Sequence, residues 1–301
     1  MKLYSYSQQG SVFIGAEKNG MLVNITDTVG TNVMSQLITD HQRLLPRAKA
    51  SIMGDCAFIP FKEVRLLPPV QPSVILCSGL NYKSHVEENP LASLLKVPRF
   101  FAKLPHTVIG PNDPIRHPGE EFQVDWEVEL GVVFGKESYR INQHQAMDHI
   151  FGYTILHDVS SRFIQFMEAN ETIGKNFISF CPIGPCIVTK DEIEHPEKLR
   201  LSLKVNGVIK QDGSNEDWCF PLPRLIEWAS MGISLKPGDI ISTGTPQGTG
   251  YFRQPKEFLQ PGDCCELEIS QIGRLINTVI ADRHPFQPVN DPKLNPLNHA
   301  I

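Results

Sequence analysis

The stretch Val124-Asp125-Trp126-Glu127-Val128-Glu129-Leu130-Gly131-Val132-Val133 reads as a β-strand carrying two acids in its middle. Tryptophan, valine and leucine suit a pleated, half-buried surface. Successive side chains of a strand leave opposite faces, so Glu127 and Glu129 share one face while Trp126, Val128 and Leu130 take the other. Two carboxylates side by side repel. On a solvated face water screens them and no chemistry follows. Near a core they need a cation, or one of them must hold a proton. Carboxylate oxygens are hard donors that suit Mg²⁺, Mn²⁺ or Ca²⁺.

Working outward, a third acid, Asp158, closes the apolar run Ile150-Phe151-Gly152-Tyr153-Thr154-Ile155-Leu156-His157. It either points into a site or serves a turn, a role for which Ser160 and Ser161 beside it are also suited. Earlier, Cys77-Ser78-Gly79-Leu80-Asn81-Tyr82-Lys83-Ser84-His85-Val86-Glu87-Glu88 follows a short apolar strand expected at 74–77. His85 and Glu88 have the spacing of neighbours on one helix face. A carboxylate beside an imidazole fixes its tautomer and raises its basicity, as a general base requires. The same spacing is common on solvated helices. Later, Gly238-Asp239-Ile240-Ile241-Ser242-Thr243-Gly244-Thr245-Pro246-Gln247-Gly248-Thr249-Gly250 runs a strand into a loop whose N–H groups and hydroxyls suit a carboxylate, unless it is plain surface.

The surrounding chain is β-rich with few helices. Strands are expected near 3–6, 11–15 and 21–25, and a helical stretch near 31–48. Pro68, Pro69 and Pro72 mark a boundary between a small N-terminal domain, 1–70, and a larger one, 71–301. Asn206-Gly207 between alternating runs predicts a hairpin. Leu222, Leu225, Ile226 and Ala229 predict an amphipathic helix over 221–231. Leu235-Lys236-Pro237-Gly238-Asp239 and Leu259-Gln260-Pro261-Gly262-Asp263 each predict a Pro-Gly turn entering a strand, and the tail after 284 reads as irregular. No βαβ alternation or Gly-rich nucleotide loop is written in the chain.

Bulk properties exclude several classes. The 301 residues are 41% hydrophobic and 20% charged, ordinary for a globular protein with a full core. A net charge of −5 argues against a nucleic-acid surface. No apolar run approaches a membrane span and no leader pattern opens the chain, so a cytoplasmic address is expected. Seven cysteines without Cys-x-x-Cys spacing read as buried free thiols.

The order of these blocks carries a resemblance. Gly79-Leu80-Asn81-Tyr82…His85, Phe100-Phe101-Ala102-Lys103…Thr107-Val108-Ile109-Gly110-Pro111, Asp125-Trp126-Glu127-Val128-Glu129-Leu130-Gly131, Asp158-Val159-Ser160-Ser161-Arg162, Gly174-Lys175-Asn176-Phe177 and Thr243-Gly244-Thr245-Pro246 resemble the fumarylacetoacetate hydrolase family over about 73–283. The resemblance implies an α+β, β-dominated fold: a mixed β-sandwich roll with a small N-terminal domain. It implies a divalent metal, Mg²⁺ or Mn²⁺, and a homodimer. By position, Glu127, Glu129 and Asp158 become metal ligands, and His85 and Glu88 a catalytic dyad on a lid-like segment, joined by Lys175. Lys103, Arg162, Gln165 and Thr245 become substrate contacts, with Lys175 beside them. The implied substrate is a small 2-oxo acid, with no nucleic-acid or membrane partner. The implied reaction breaks a C–C bond through a metal-stabilised enolate, as acylpyruvate hydrolysis or oxaloacetate decarboxylation. Isomerisation, decarboxylation or hydration of unsaturated 2-oxo diacids is the alternative. Two places depart from the family's usual pattern: Ser161-Arg162-Phe163 where it often has Ala-Arg-Asp, and Ile173-Gly174-Lys175 where it often has Arg-Gly-Lys.

Overall fold

A computed structural model describes residues 1–90, 92–167 and 170–284. The irregular tail expected after 284 lies outside the described residues.

Two sheets make the body. The larger runs, edge to edge, Met21–Asn24, Ser11–Lys18, Lys2–Gln8, Cys181–Thr189, Ile150–His157, Val128–Phe134, Ile240–Ser242, Ile75–Gly79 and Arg99–Lys103. The smaller runs Val208–Ser214, Arg200–Val205, Cys264–Ile269, Gly273–Ala281 and Ile115–His117. Both mix parallel and antiparallel pairs. Alternating side chains from both sheets, among them Leu130, Val132, Ile155, Leu201, Leu203 and Leu267, share one apolar core. This is the β-dominated chain that the strand pattern predicts, folded as the mixed sandwich that the family resemblance implies.

The N-terminal strands continue the large sheet. Lys2 and Leu3 pair with Val188 and Ile187, and the Met1 ammonium donates to Thr189 Oγ1 at 2.6 Å. The helical stretch expected near 31–48 is two helices, Met34–Thr39 and His41–Met53. Asp40 separates them: its backbone leaves the helical region, its carbonyl accepts from Arg43 and Leu44, and its carboxylate binds Arg43 Nε at 2.6 Å.

Other local expectations hold. Asn206 and Gly207 both have positive φ and close the hairpin. Leu222–Ser230 is a helix that buries Leu222, Leu225, Ile226 and Ala229. The two Pro-Gly turns share one device, in which the aspartate after the glycine accepts from the backbone N–H three residues earlier. Lys236 N to Asp239 Oδ2 is 2.8 Å, and Gln260 N to Asp263 Oδ2 is 2.7 Å. All the cysteines are free; Cys77, Cys181, Cys186 and Cys265 are buried as expected, whereas Cys56, Cys219 and Cys264 are only partly buried. Among the described residues no helix is long and apolar enough to cross a membrane.

Candidate active site

The acid-bearing strand is interrupted where it matters. Val124–Asp125 and Val128–Phe134 are separate strands, with Trp126 and Glu127 between them. Side chains take over the backbone donors there: Asp125 Oδ1 accepts from Trp126 N at 2.7 Å, and Gln211 Oε1 from Val128 N at 2.9 Å. Glu127 and Glu129 nonetheless line the same cavity, while Trp126, Val128 and Leu130 enter the core. The cavity holds about 300 Å³.

Asp158, fully buried, directly follows the neighbouring strand Ile150–His157, and its N–H donates to the Glu127 carbonyl at 3.0 Å. Buried cations thread these acids. Lys175 Nζ lies 2.6 Å from Glu127 Oε2 and 2.7 Å from Asp158 Oδ2. Arg162 donates to Glu127 Oε1 at 2.6 Å, to Asp125 Oδ2 at 2.8 Å and to Gln165 Oε1 at 2.8 Å. Burial alone would raise the Glu127 carboxyl, but Arg162 and Lys175 hold it well below the usual carboxylate range.

Lys103 departs from its expected role as a substrate contact. Its ammonium is buried behind the cavity, 2.5 Å from Asp158 Oδ1, 3.1 Å from the Val159 carbonyl and 2.7 Å from the Lys175 carbonyl. An ammonium has three donors, so none is left for a ligand. Lys103 fixes Asp158 and the turn that carries Lys175.

Glu129 is different from its neighbours. Among the described residues only the Ser242 hydroxyl donates to it, and no lysine or arginine reaches it at ion-pair distance. Burial, then the charges of Asp158 and Glu127, push its carboxyl well above the usual range. Cys77 Sγ and carboxylate oxygens of Glu129 and Asp158 lie within 4.8 Å of one another, close enough to share an ion. Three acids converge here with one left unneutralised, a donor set that fits a hard divalent cation. Of the expected ligands, Glu129 and Asp158 stand in that group with Cys77, while Glu127 lines the cavity beside them; these three acids are the residues that would hold a cation.

Across the cavity, the short helix Lys83–Glu88 carries His85 and Glu88. It is tied down at its start, where Ser84 N donates to Asp217 Oδ2 at 2.9 Å and Asn81 Nδ2 to the Thr243 carbonyl at 2.9 Å. His85 Nδ1 sits 2.6 Å from Glu88 Oε1. The Gly- and Thr-rich loop does hold a carboxylate, and that carboxylate is Glu88. Gly248 N donates to its Oε2 at 2.8 Å and Thr249 Oγ1 to its Oε1 at 3.1 Å. Asp125 braces the same loop by accepting from Gly250 N at 2.7 Å and Tyr251 N at 3.0 Å. With Nδ1 engaged, Nε2 is the nitrogen His85 can offer the cavity.

Gly248 has φ +103°, and a Cβ there would sit 2.2 Å from the Lys210 carbonyl oxygen. Gly248→Ala is expected to cost about 2–4 kcal/mol through strain and overlap. Urea unfolding should record that loss, and turnover should fall with it as Glu88 loses its backbone donor.

Gln165 and Thr245, the other expected substrate contacts, line the cavity, and Thr245 Oγ1 also donates to the Val128 carbonyl at 2.9 Å. Asp125, Ser242 and the pair Arg99–Glu171 at the cavity wall were not singled out by the sequence reading. Of these only Arg99 carried a signal, the alternation Arg99, Phe101, Lys103 along one strand face.

Residues 74–280 match the family described as fumarylacetoacetate (FAA) hydrolase C-terminal. The chain is 42% identical over 221 residues to oxaloacetate tautomerase YisK of Bacillus subtilis (strain 168), covering 72% of this chain and 73% of that one. It is 37% identical over 261 residues to the human mitochondrial oxaloacetate tautomerase FAHD2A, covering 86% and 83%. Its fold is similar to that of maleylpyruvate hydrolase from Sphingobium sp. SYK-6, crystallised with manganese(II) and pyruvate. There the TM-score is 0.80 and the identity 29%, over 94% of this chain and all of that one. The chain belongs to the fumarylacetoacetate hydrolase family.

Proposed function

We propose that this enzyme acts on a small 2-oxo acid, oxaloacetate or a close relative, making or breaking a bond at C3 with a divalent metal, Mg²⁺ or Mn²⁺. The observation that carries this reading is Glu129, a buried carboxylate without a cation, beside Glu127 and Asp158 and facing His85 across a small cavity. A divalent cation bound there supplies Lewis-acid polarisation of a carbonyl. Arg162 and Gln165, already bonded to one another, offer donors at the cavity wall for a substrate carboxylate. Lys175 lies 4.8 Å from the Phe101 ring centroid, which keeps its ammonium at the inner wall. His85 Nε2, with Nδ1 held by Glu88, is the atom that gives or takes the proton at C3.

When the bond at C3 is C–H, the result is enol–keto tautomerisation, the activity in the relatives' names. When it is C–C, the result is hydrolysis or decarboxylation, and the maleylpyruvate hydrolase likeness favours that reading. For hydrolysis, His85 Nε2 would instead take a proton from water. The cytoplasmic address expected from the sequence and the homodimer implied by the family resemblance belong to the same proposal.

The test is turnover by metal-stripped protein. The enol-to-keto conversion of oxaloacetate, its decarboxylation and the cleavage of acetylpyruvate should be followed with and without Mg²⁺ or Mn²⁺. Metal-dependent conversion of any of them is expected, and identifies the bond at C3 that is handled. No metal-dependent change in any of them would overturn the reading.

A further inference from the structure

Arg99 and Glu171 form an ion pair within the wall of the same cavity, and neither has a place in the chemistry described so far. Their side chains are 47% and 24% exposed, so the pair stands at the mouth rather than the floor. Arg99 belongs to the edge strand Arg99–Lys103, whose alternate side chains form a row. Lys103 is buried against Asp158, Phe101 stands in the cavity wall, and Arg99 comes last and exposed. At strand spacing, Arg99 lies about 6–7 Å beyond Phe101 along this row. Its backbone partner is Gly79, and the Arg99 Cδ lies 3.8 Å from where a Gly79 Cβ would be. That is ordinary van der Waals distance, so the arginine's stem lies along the backbone at Gly79 and the wall.

A substrate whose 2-oxo acid end sits at the acidic floor therefore points its far end toward a guanidinium. We infer that Arg99 binds the distal carboxylate of a 2-oxo dicarboxylic acid, with Glu171 holding the guanidinium in place and yielding it to the substrate. This rests on the reading of the site given above and narrows it to diacids. A guanidinium can bind a carboxylate through two parallel hydrogen bonds. The resident Glu171 sets a threshold that a neutral end group does not cross, which is how the pair would discriminate.

The test uses the Mn²⁺-loaded enzyme and calorimetric titration with three stable probes. Oxalate reaches only the floor. N-oxalylglycine adds a distal carboxylate, and its distal methyl ester removes that charge alone. The wild-type enzyme should bind N-oxalylglycine about tenfold or more tighter than the ester. Arg99→Gln should erase this preference and leave oxalate affinity unchanged. Glu171→Gln should tighten diacid binding about two- to fivefold, as expected for a partly exposed competitor. The proposal is overturned if the wild type shows no preference, if Arg99→Gln keeps it, or if that variant weakens oxalate in equal measure. Failure of the wild type to bind oxalate with Mn²⁺ at all would overturn the reading of the floor, and this inference with it.

Discussion

Glu129→Gln is expected to abolish turnover and metal binding while leaving the metal-free protein more stable. Metal polarisation of a carbonyl is worth several kcal/mol, so its loss should lower kcat by about a thousandfold or more. Thermal unfolding should record the rest. In the wild type, added Mn²⁺ should raise Tm by mass action on the folded state, and in the variant it should not. The metal-free variant should gain about 1–3 kcal/mol, because a buried carboxyl that folding must either leave charged without a cation or protonate is replaced by a neutral side chain of nearly the same shape. The glutamine carbonyl can still accept the Ser242 hydroxyl that Glu129 accepts now. Glu127→Gln should move metal-free stability the other way, because Glu127 balances both Arg162 and Lys175. Removing it leaves buried cations short of a partner. Opposite signs at two carboxylates two positions apart are hard to obtain from a merely structural acid pair. A Glu129→Gln protein that is less stable without metal, or that still shifts with Mn²⁺, would remove Glu129 from the ligand set.

What could be read in the sequence was what depends on local period. Alternation put Glu127 and Glu129 on one side and Trp126, Val128 and Leu130 on the other, and the assembled molecule keeps that division. The His85–Glu88 pair, the hairpin at Asn206-Gly207 and the helix Leu222–Ser230 are equally local, set by a turn of helix or by the φ that one tight turn requires. Asp158 was visible as the end of an apolar run, but its cations were not. Lys103 and Lys175 reach it from positions 55 and 17 residues away. For the same reason Lys103 could be read as a substrate contact when its donors are consumed inside. Asp125 and Ser242 escaped notice because their role is to accept from or donate to distant parts of the chain, which no period predicts. The Gly- and Thr-rich loop reads in the sequence as either a carboxylate holder or plain surface, and the first is what the molecule shows. Composition could not say that the carboxylate is the protein's own Glu88.

That loop-bound carboxylate leads to the second large effect. His85→Ala should lower kcat by about 10²–10⁴, the usual worth of a positioned acid or base, while the Mn²⁺-induced rise in Tm persists. The two acidic ends of the cavity then separate: Glu129 changes metal response and turnover together, His85 turnover alone. Glu88→Gln sharpens the assignment. Glu88 Oε2 accepts from Gly248 N, so an amide at 88 keeps its oxygen there and turns its NH₂ toward His85 Nδ1. Nδ1 must then accept, which moves the ring proton to Nε2 and leaves the atom facing the substrate unable to take one. The Gly248 bond is kept and the Thr249 hydroxyl need only turn to accept from the amide, so a large loss in Glu88→Gln with unchanged Tm would report the tautomer rather than the scaffold. Deuterium entry at C3 of the 2-oxo acid, followed in D₂O, separates the proton step from any later bond cleavage. Loss of exchange in both variants supports His85 as the residue that handles that proton. Undiminished exchange in His85→Ala would assign the proton to another group, with Lys175 the nearest candidate, since its ammonium lies against Glu127 and Asp158 in the same cavity wall.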